Sequence, residues 1–309
     1  MLLDLGDGVT MAFVQIPDGS FLMGSKLTPA ESVAWFKGRG EVFGEGYYKD
    51  EHPRHRVHVK PFYMSKFEVT VAQFRRFVDE TGYITDAEVG TPVPEKRDMK
   101  GGSRGAYTVD GSGNWILDPS ITWRNPGLPQ SPAHPVVVVS WNDAQAYVRW
   151  LSEETVEDYR LASESEWEYA ARADTTESRY WGDDSARACV YANVGDKLGK
   201  RVHPGWHWTI HDCDDGAAET SPVGRYEANR FGLHDMLGNV WEWMQDCYVE
   251  GYDDAPSDGS AREGGGCTKR VIRGGSWFDE PSFVRSARRP WLRQDDRGSY
   301  VGIRLARTL

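Results

Sequence analysis

Apolar and small or polar residues alternate from Phe13 to Gly24 on either side of Pro17-Asp18-Gly19-Ser20. A two-residue period interrupted by a turn cluster predicts an N-terminal hairpin. Beyond a charged loop, Tyr48 to His55, the alternation resumes at Val57, Val59 and Phe62 and predicts a strand leading to Phe67-Glu68-Val69. The period then lengthens. Val71, Phe74, Phe77 and Val78 fall on one helical face, as do Trp141, Ala144, Tyr147, Val148 and Leu151. Three segments open on a hydroxyl residue with an acid or amide three positions later: Thr70 with Gln73, Ser140 with Asp143, and Ser163 with Glu166. Such pairs satisfy the free amides of a first helical turn, so three helices are predicted to begin there. After Arg172 no strong helical pattern recurs, and loops alternating with short strands are predicted.

Residues 86–132 are rich in glycine, proline and charge, with turn clusters at Gly101-Gly102-Ser103-Arg104-Gly105 and Asp110-Gly111-Ser112-Gly113-Asn114. They read as a surface excursion with short strands, one around Trp115-Ile116-Leu117. No repeat or linker divides the chain, so residues 1–309 are expected to form a single domain. Hydrophobic residues make up 39% and aromatics 12%, enough for a sizeable core. Thirteen tryptophans beside 33 glycines and 16 prolines imply irregular segments pinned by large rings.

A formal charge of -11 argues against a nucleic-acid-binding face, which needs basic residues to neutralise phosphates. No stretch approaches the roughly 18 apolar residues of a membrane span. Met1-Leu2-Leu3-Asp4 starts no basic-then-apolar leader, so the chain is expected in the cytoplasm if complete, and secreted or periplasmic if trimmed. Cys189, Cys213, Cys247 and Cys267 form no Cys-x-x-Cys pair. Joining sequence neighbours, Cys189 with Cys213 and Cys247 with Cys267, would staple two loops; free buried thiols are the alternative.

Several motifs occur in a fixed order: Phe21-Leu22-Met23-Gly24-Ser25, Asp50-Glu51-His52-Pro53, Lys66-Phe67-Glu68-Val69-Thr70, Pro135-Val136, Val139-Ser140-Trp141, Arg160-Leu161, Ser163-Glu164, Glu166-Trp167-Glu168-Tyr169-Ala170, Tyr191-Ala192-Asn193, Gly238-Asn239-Val240-Trp241-Glu242-Trp243 and Arg273-Gly274-Gly275-Ser276-Trp277. In this order they resemble the formylglycine-generating enzyme, or sulfatase-modifying factor, family over nearly the whole chain. The resemblance implies an α+β fold that is loop-rich, poor in regular secondary structure and related to C-type lectins. It also implies two structural calcium sites. One would use side-chain oxygens of Asn193 and Asp215 with the carbonyls of Val194 and Ala217. The other would use Glu242, the carbonyls of Gly238 and Val240, and Asp235 where the family usually has asparagine. Mixed side-chain and carbonyl oxygens suit a hard cation. The plainer alternative is that Glu242 and Asp215 cap loops or pair with arginines.

The family's enzymes oxidise a substrate cysteine to formylglycine through a copper-binding cysteine pair placed after the Gly-Gly-Ser-aromatic motif. Those positions here are Asp279 and Val284, neither a soft sulfur ligand, so copper and the usual oxidation are not expected. The segment 270–309 is instead expected to line a groove for a peptide, protein or small-molecule ligand, with Asp279, Glu280, Trp291 and Tyr300 facing it. Two alternatives come from the same resemblance. One is an oxygen-dependent oxidase of a peptide or siderophore substrate using other residues, as in pyoverdine-maturation relatives. The other is a ligand-binding variable protein of a diversity-generating retroelement. Arg285, Arg289 and Arg304 are expected to be structural, with Asp295 as a partner. His52, His55 and His58 have the density of a metal cluster, but His55 matches a structural histidine of the family.

Overall fold

The computed structural model describes residues 1–90 and 104–309. The helix starts follow the local rules. Thr70, Ser140 and Ser163 each accept from the amide three residues on, and Gln73, Asp143 and Glu166 each accept from the cap amide. They open the helices Val71–Thr81, Trp141–Thr155 and Glu164–Arg172. The first two pack through their apolar stripes: Phe74 stacks on Tyr147 with ring centroids 5.8 Å apart, and Phe77 meets Trp150 at 5.5 Å. Glu164–Arg172 is buried along its whole length.

The expected N-terminal hairpin does not form. Thr10–Ile16 pairs with Phe62–Ser65, while Gly19–Met23 pairs with His55–Val59 in a separate two-stranded sheet. Met11 and Phe13 enter one core, with Phe74, Tyr147 and Leu305, while Met23 enters another, with Val57, Val59 and Trp167. The turn therefore passes the chain from one core to the other. The strand expected over Val57 to Phe62 is likewise two strands, His55–Val59 and Phe62–Ser65, broken at Pro61, which has no amide to donate.

A five-stranded sheet runs in the order Leu2–Asp4, Thr10–Ile16, Phe62–Ser65, Leu305–Thr308, Tyr159–Leu161. The last strand of the chain thus sits between Phe62–Ser65 and Tyr159–Leu161, both distant from it in sequence. A four-stranded sheet, Trp291–Arg293, Lys269–Arg273, Trp241–Cys247 and Val301–Gly302, carries both glycine–tryptophan motifs to one place. After Arg172 the chain is mostly loop, with two short helices, Ala188–Tyr191 and Lys197–Val202, that are too brief to leave a periodic trace.

The segment 86–132 begins with the short helix Asp86–Val89. It also holds a hairpin of Ala106–Val109 with Trp115–Asp118, close to the expected strand. It is not purely superficial: Ala106, Thr108, Ile121 and Trp123 are buried, and Trp123 packs edge-on against Phe74 at 5.2 Å. Of the first turn cluster, Gly101, Gly102 and Ser103 lie outside the described residues.

Both neighbour disulfides are present, Cys189–Cys213 and Cys247–Cys267. The first closes a loop of 24 residues. Replacing Cys189 and Cys213 by serine is expected to cost about 3 kcal/mol from the loop-closure entropy returned to the unfolded chain. Denaturant titration of the double variant checks this, and an unmoved midpoint would mean that the bridge does not constrain unfolding.

Candidate functional site

The arginines near the end of the chain are structural, but their carboxylate partners lie far away in sequence. Arg285 makes two hydrogen bonds to Glu51, 2.8 and 2.6 Å. Arg289 makes two to Glu164, 2.6 and 2.9 Å. Arg304 bonds Glu242 at 2.8 Å, and Arg273 bonds Glu168. Asp295 partners none of Arg285, Arg289 and Arg304; its main-chain carbonyl accepts from Arg297. Sequence proximity suggested it, whereas the fold brings these acids from a turn (Glu51), the helix Glu164–Arg172 (Glu164, Glu168) and the strand Trp241–Cys247 (Glu242). The three histidines with metal-like density in sequence diverge, in line with the structural reading of His55: His55 lies against Tyr252, and His58 contacts Ser20 and Asp18. Among the described residues they form no metal-ligand group.

These ion pairs hold the turn after Gly274-Gly275-Ser276-Trp277, and the turn frames a cavity of about 700 Å³. Asp279, Glu280, Trp291 and Tyr300 all line it. Trp241 and Ile272 come from the four-stranded sheet, Trp115 and Tyr107 from the hairpin, Trp208 from a loop, and Phe43 from the N-terminal half. Trp115 meets Phe278 at 4.6 Å and stands edge-on to Tyr300 at 5.2 Å, so the wall is a continuous run of rings. No period marked Trp208 or Phe43, because an aromatic in an irregular segment follows none, and Trp115 was read only as part of a short strand. Their density in loops was the available signal.

Asp279 and Val284, the positions that the sequence resemblance matches to cysteines, have different surroundings. Val284 is fully buried in the second core. Asp279 accepts from the Ser276 hydroxyl at 2.6 Å. Burial pushes its carboxyl up to about 7 despite hydrogen bonds from Ser276 and Trp241. Glu280 is pushed to about 8 by burial and then by the charges of Glu41 and Asp279. Among the described residues, no donor bonds its carboxylate.

Two further acidic clusters hold the side chains Asn193, Asp215, Asp235 and Glu242, named above as expected calcium ligands. In the first, Asp215 accepts from the amides of Val194 and Ala217, and the side-chain oxygen of Asn193 is buried without a partner. Asp215 is pushed up to about 7 by burial and by Asp196, a neighbour the sequence reading missed. Asp196 also approaches Cys189, but that sulfur is in a disulfide and Asp196 itself caps Lys197–Val202.

In the second cluster, Asp235 accepts from the Gly224 amide with one oxygen, and its other oxygen is buried and unpartnered. Burial first, then Glu242, raises it to about 6. Glu242 is engaged by both oxygens, from Arg304 and from the Trp167 indole. Glu68, also missed by the sequence reading, accepts from Asn239, and its other buried oxygen has no hydrogen bond but lies 3.9 Å from the Arg304 guanidinium. Here three buried carboxyls face one guanidinium; the orphaned oxygens in both clusters are of the type a hard cation takes, although among the described residues only Cys189, Asp196 and Asp215 form a group of at least three His, Cys, Asp or Glu ligand atoms within 4.8 Å of one another.

Among the described residues no helix is long and apolar enough to cross a membrane. Residues 7–309 match the sulfatase-modifying factor enzyme 1-like domain. The chain is 34% identical to the formylglycine-generating enzyme of Streptomyces coelicolor, over 96% of this chain and 89% of that protein. It is 32% identical to inactive C-alpha-formylglycine-generating enzyme 2 of Bos taurus, over 90% of this chain and 80% of that protein. PvdO from Pseudomonas aeruginosa superposes with a TM-score of 0.72 at 30% identity, over 100% of this chain and 98% of that one. With a family match spanning both glycine–tryptophan motifs, the chain belongs to the sulfatase-modifying factor, or formylglycine-generating enzyme, family.

Proposed function

We propose that this protein is a calcium-stabilised family member that binds a small ligand or peptide in its aromatic cavity and does not convert cysteine to formylglycine. The observation that carries the reading is Val284. A buried hydrocarbon side chain stands at one of the two thiolate positions and has no atom to donate to copper. Asp279 at the other position is a hard oxygen donor already bonded to Ser276. The cavity beside them has the volume and the mixture of rings with a few polar groups found in small-molecule sites.

For calcium, the supporting facts are the buried oxygens of Asn193, Asp235 and Glu68 that lack a hydrogen bond, together with raised carboxyls that a bound cation would hold ionised. Calcium would supply charge neutralisation to the loops around Asn193 and Asp235 and takes no part in chemistry here.

Oxidation of a bound substrate without copper is the competing reading. It is favoured by Asp279 and Glu280, which face the cavity with proton affinities near neutrality and could hold or release a proton there. Metal analysis of the purified protein, with oxygen uptake on a cysteine peptide, is the test. Calcium without stoichiometric copper, and no uptake, is expected. Stoichiometric copper with thiol-dependent uptake would defeat the proposal.

A further inference from the structure

We propose that the cavity selects an organic cation: a protonated amine, amidinium or guanidinium carried on a flat or alkylated apolar body. This rests on the reading of the cavity as the ligand site and adds the charge of what enters it. Nine of its fifteen lining residues are aromatic, three are acidic and, among the described residues, none is basic. Ring faces carry negative potential, so they attract cations and repel carboxylates. The acidic residues add to the same sign once ionised, the form that a bound cation favours.

Glu280 is the second, independent observation. It is only 7% exposed and lines the cavity, and while its main-chain carbonyl accepts from Phe283 and Val284, its carboxylate has no hydrogen-bond donor among the described residues. Behind it, Glu41 is 3% exposed and has one oxygen buried without a partner. A buried carboxyl without a donor is a standing cost that an incoming N–H cation removes and an apolar ligand does not. The nearby basic side chains have other partners. Arg288 lies over the rings of Tyr47, at 4.2 Å, and Phe283, at 5.1 Å, and donates to the Tyr47 carbonyl. Lys269 sits 3.7 Å over Trp291, so a ring of this wall already holds an ammonium. The volume of about 700 Å³ admits a ligand much larger than a lone ammonium, hence the apolar body.

The probes are benzamidine, its neutral isostere benzamide and the anion benzoate, titrated calorimetrically into the full chain and into Glu280→Gln. Benzamidine is expected to bind about tenfold or more tighter than benzamide, in line with a partly desolvated cation on aromatic faces. Benzoate should bind weakest. Glu280→Gln keeps the side-chain shape and is expected to reduce the preference for benzamidine over benzamide several-fold, leaving the part due to the aromatic faces. N-acetylarginine N-methylamide separates the sources. Binding as tight as that of benzamidine points to a basic side chain of a peptide, and weaker binding points to a free small molecule.

Equal affinity for the three charge types would overturn cation selection and leave the cavity as a ligand site. Failure of all three to bind would overturn the ligand-site reading as well. The comparison in the unmodified protein does not depend on how the variant folds.

Discussion

Arg304→Met is expected to destabilise the protein by about 3–5 kcal/mol, the cost of breaking a buried ion pair from one side. Arg304 is wholly buried. It donates to Glu242, to the carbonyl of Ser65 and to the carbonyl of His234, each at 2.8 Å. Its guanidinium therefore ties the first glycine–tryptophan motif, through Glu242, to the strand Phe62–Ser65 and to the loop before Asp235. Methionine fills similar space but leaves those acceptors without a donor. It also leaves Glu68, Asp235 and Glu242 facing one another with no basic partner. The effect is read from the denaturant midpoint in the presence of chelator. Adding Glu242→Gln removes one of the stranded charges, so the double variant should be less unstable than the sum of the singles. A loss below about 1 kcal/mol would place Arg304 among surface-like ion pairs and contradict its role as the local counter-charge.

The helix starts were legible because a capping pair is written within four residues. Thr70, Ser140 and Ser163 behave as local chemistry dictates. Strand pairing was not, since alternation marks a strand but not its neighbour. The chain from Phe13 to Gly24 looks like a hairpin, yet its halves pair with Phe62–Ser65 and His55–Val59. The same limit hid the arginine partners: Glu51 and Arg285 are 234 positions apart, and nothing local links them.

The cavity was legible only along its C-terminal wall, where family motifs place Asp279, Glu280, Trp291 and Tyr300. The opposite wall comes from Phe43, Trp115 and Trp208, whose convergence depends on tertiary packing. The acidic clusters split in the same way. Asp215 and Asp235 were found through motif spacing, whereas Asp196 and Glu68 join them only after folding.

Calcium removal is expected to produce the other large effect. A ligand bound only to the folded state stabilises it by about 2.7 kcal/mol at a hundred times its Kd, so two such sites contribute about 5 kcal/mol. With an unfolding entropy near 2.1 cal/mol/K per residue over 309 residues, chelation should lower the midpoint by roughly 8 °C, and added calcium should restore it. Asp215→Asn and Asp235→Asn should each remove about half of that swing, because they address different clusters.

The swing should also depend on pH. Without metal, folding holds protons on Asp235 up to about 6 and on Asp215 up to about 7, above the ordinary 3.8. The metal-free protein therefore has this stabilisation in full below pH about 4 and loses it as pH rises through 6 to 7. Calcium requires the ionised carboxylates, so its contribution grows across the same window. Melting curves with and without chelator should differ little at pH 5 and most at pH 8. A midpoint at pH 8 that ignores both chelator and calcium would sink both sites, leaving the orphaned oxygens of Asn193 and Asp235 to be explained by buried water.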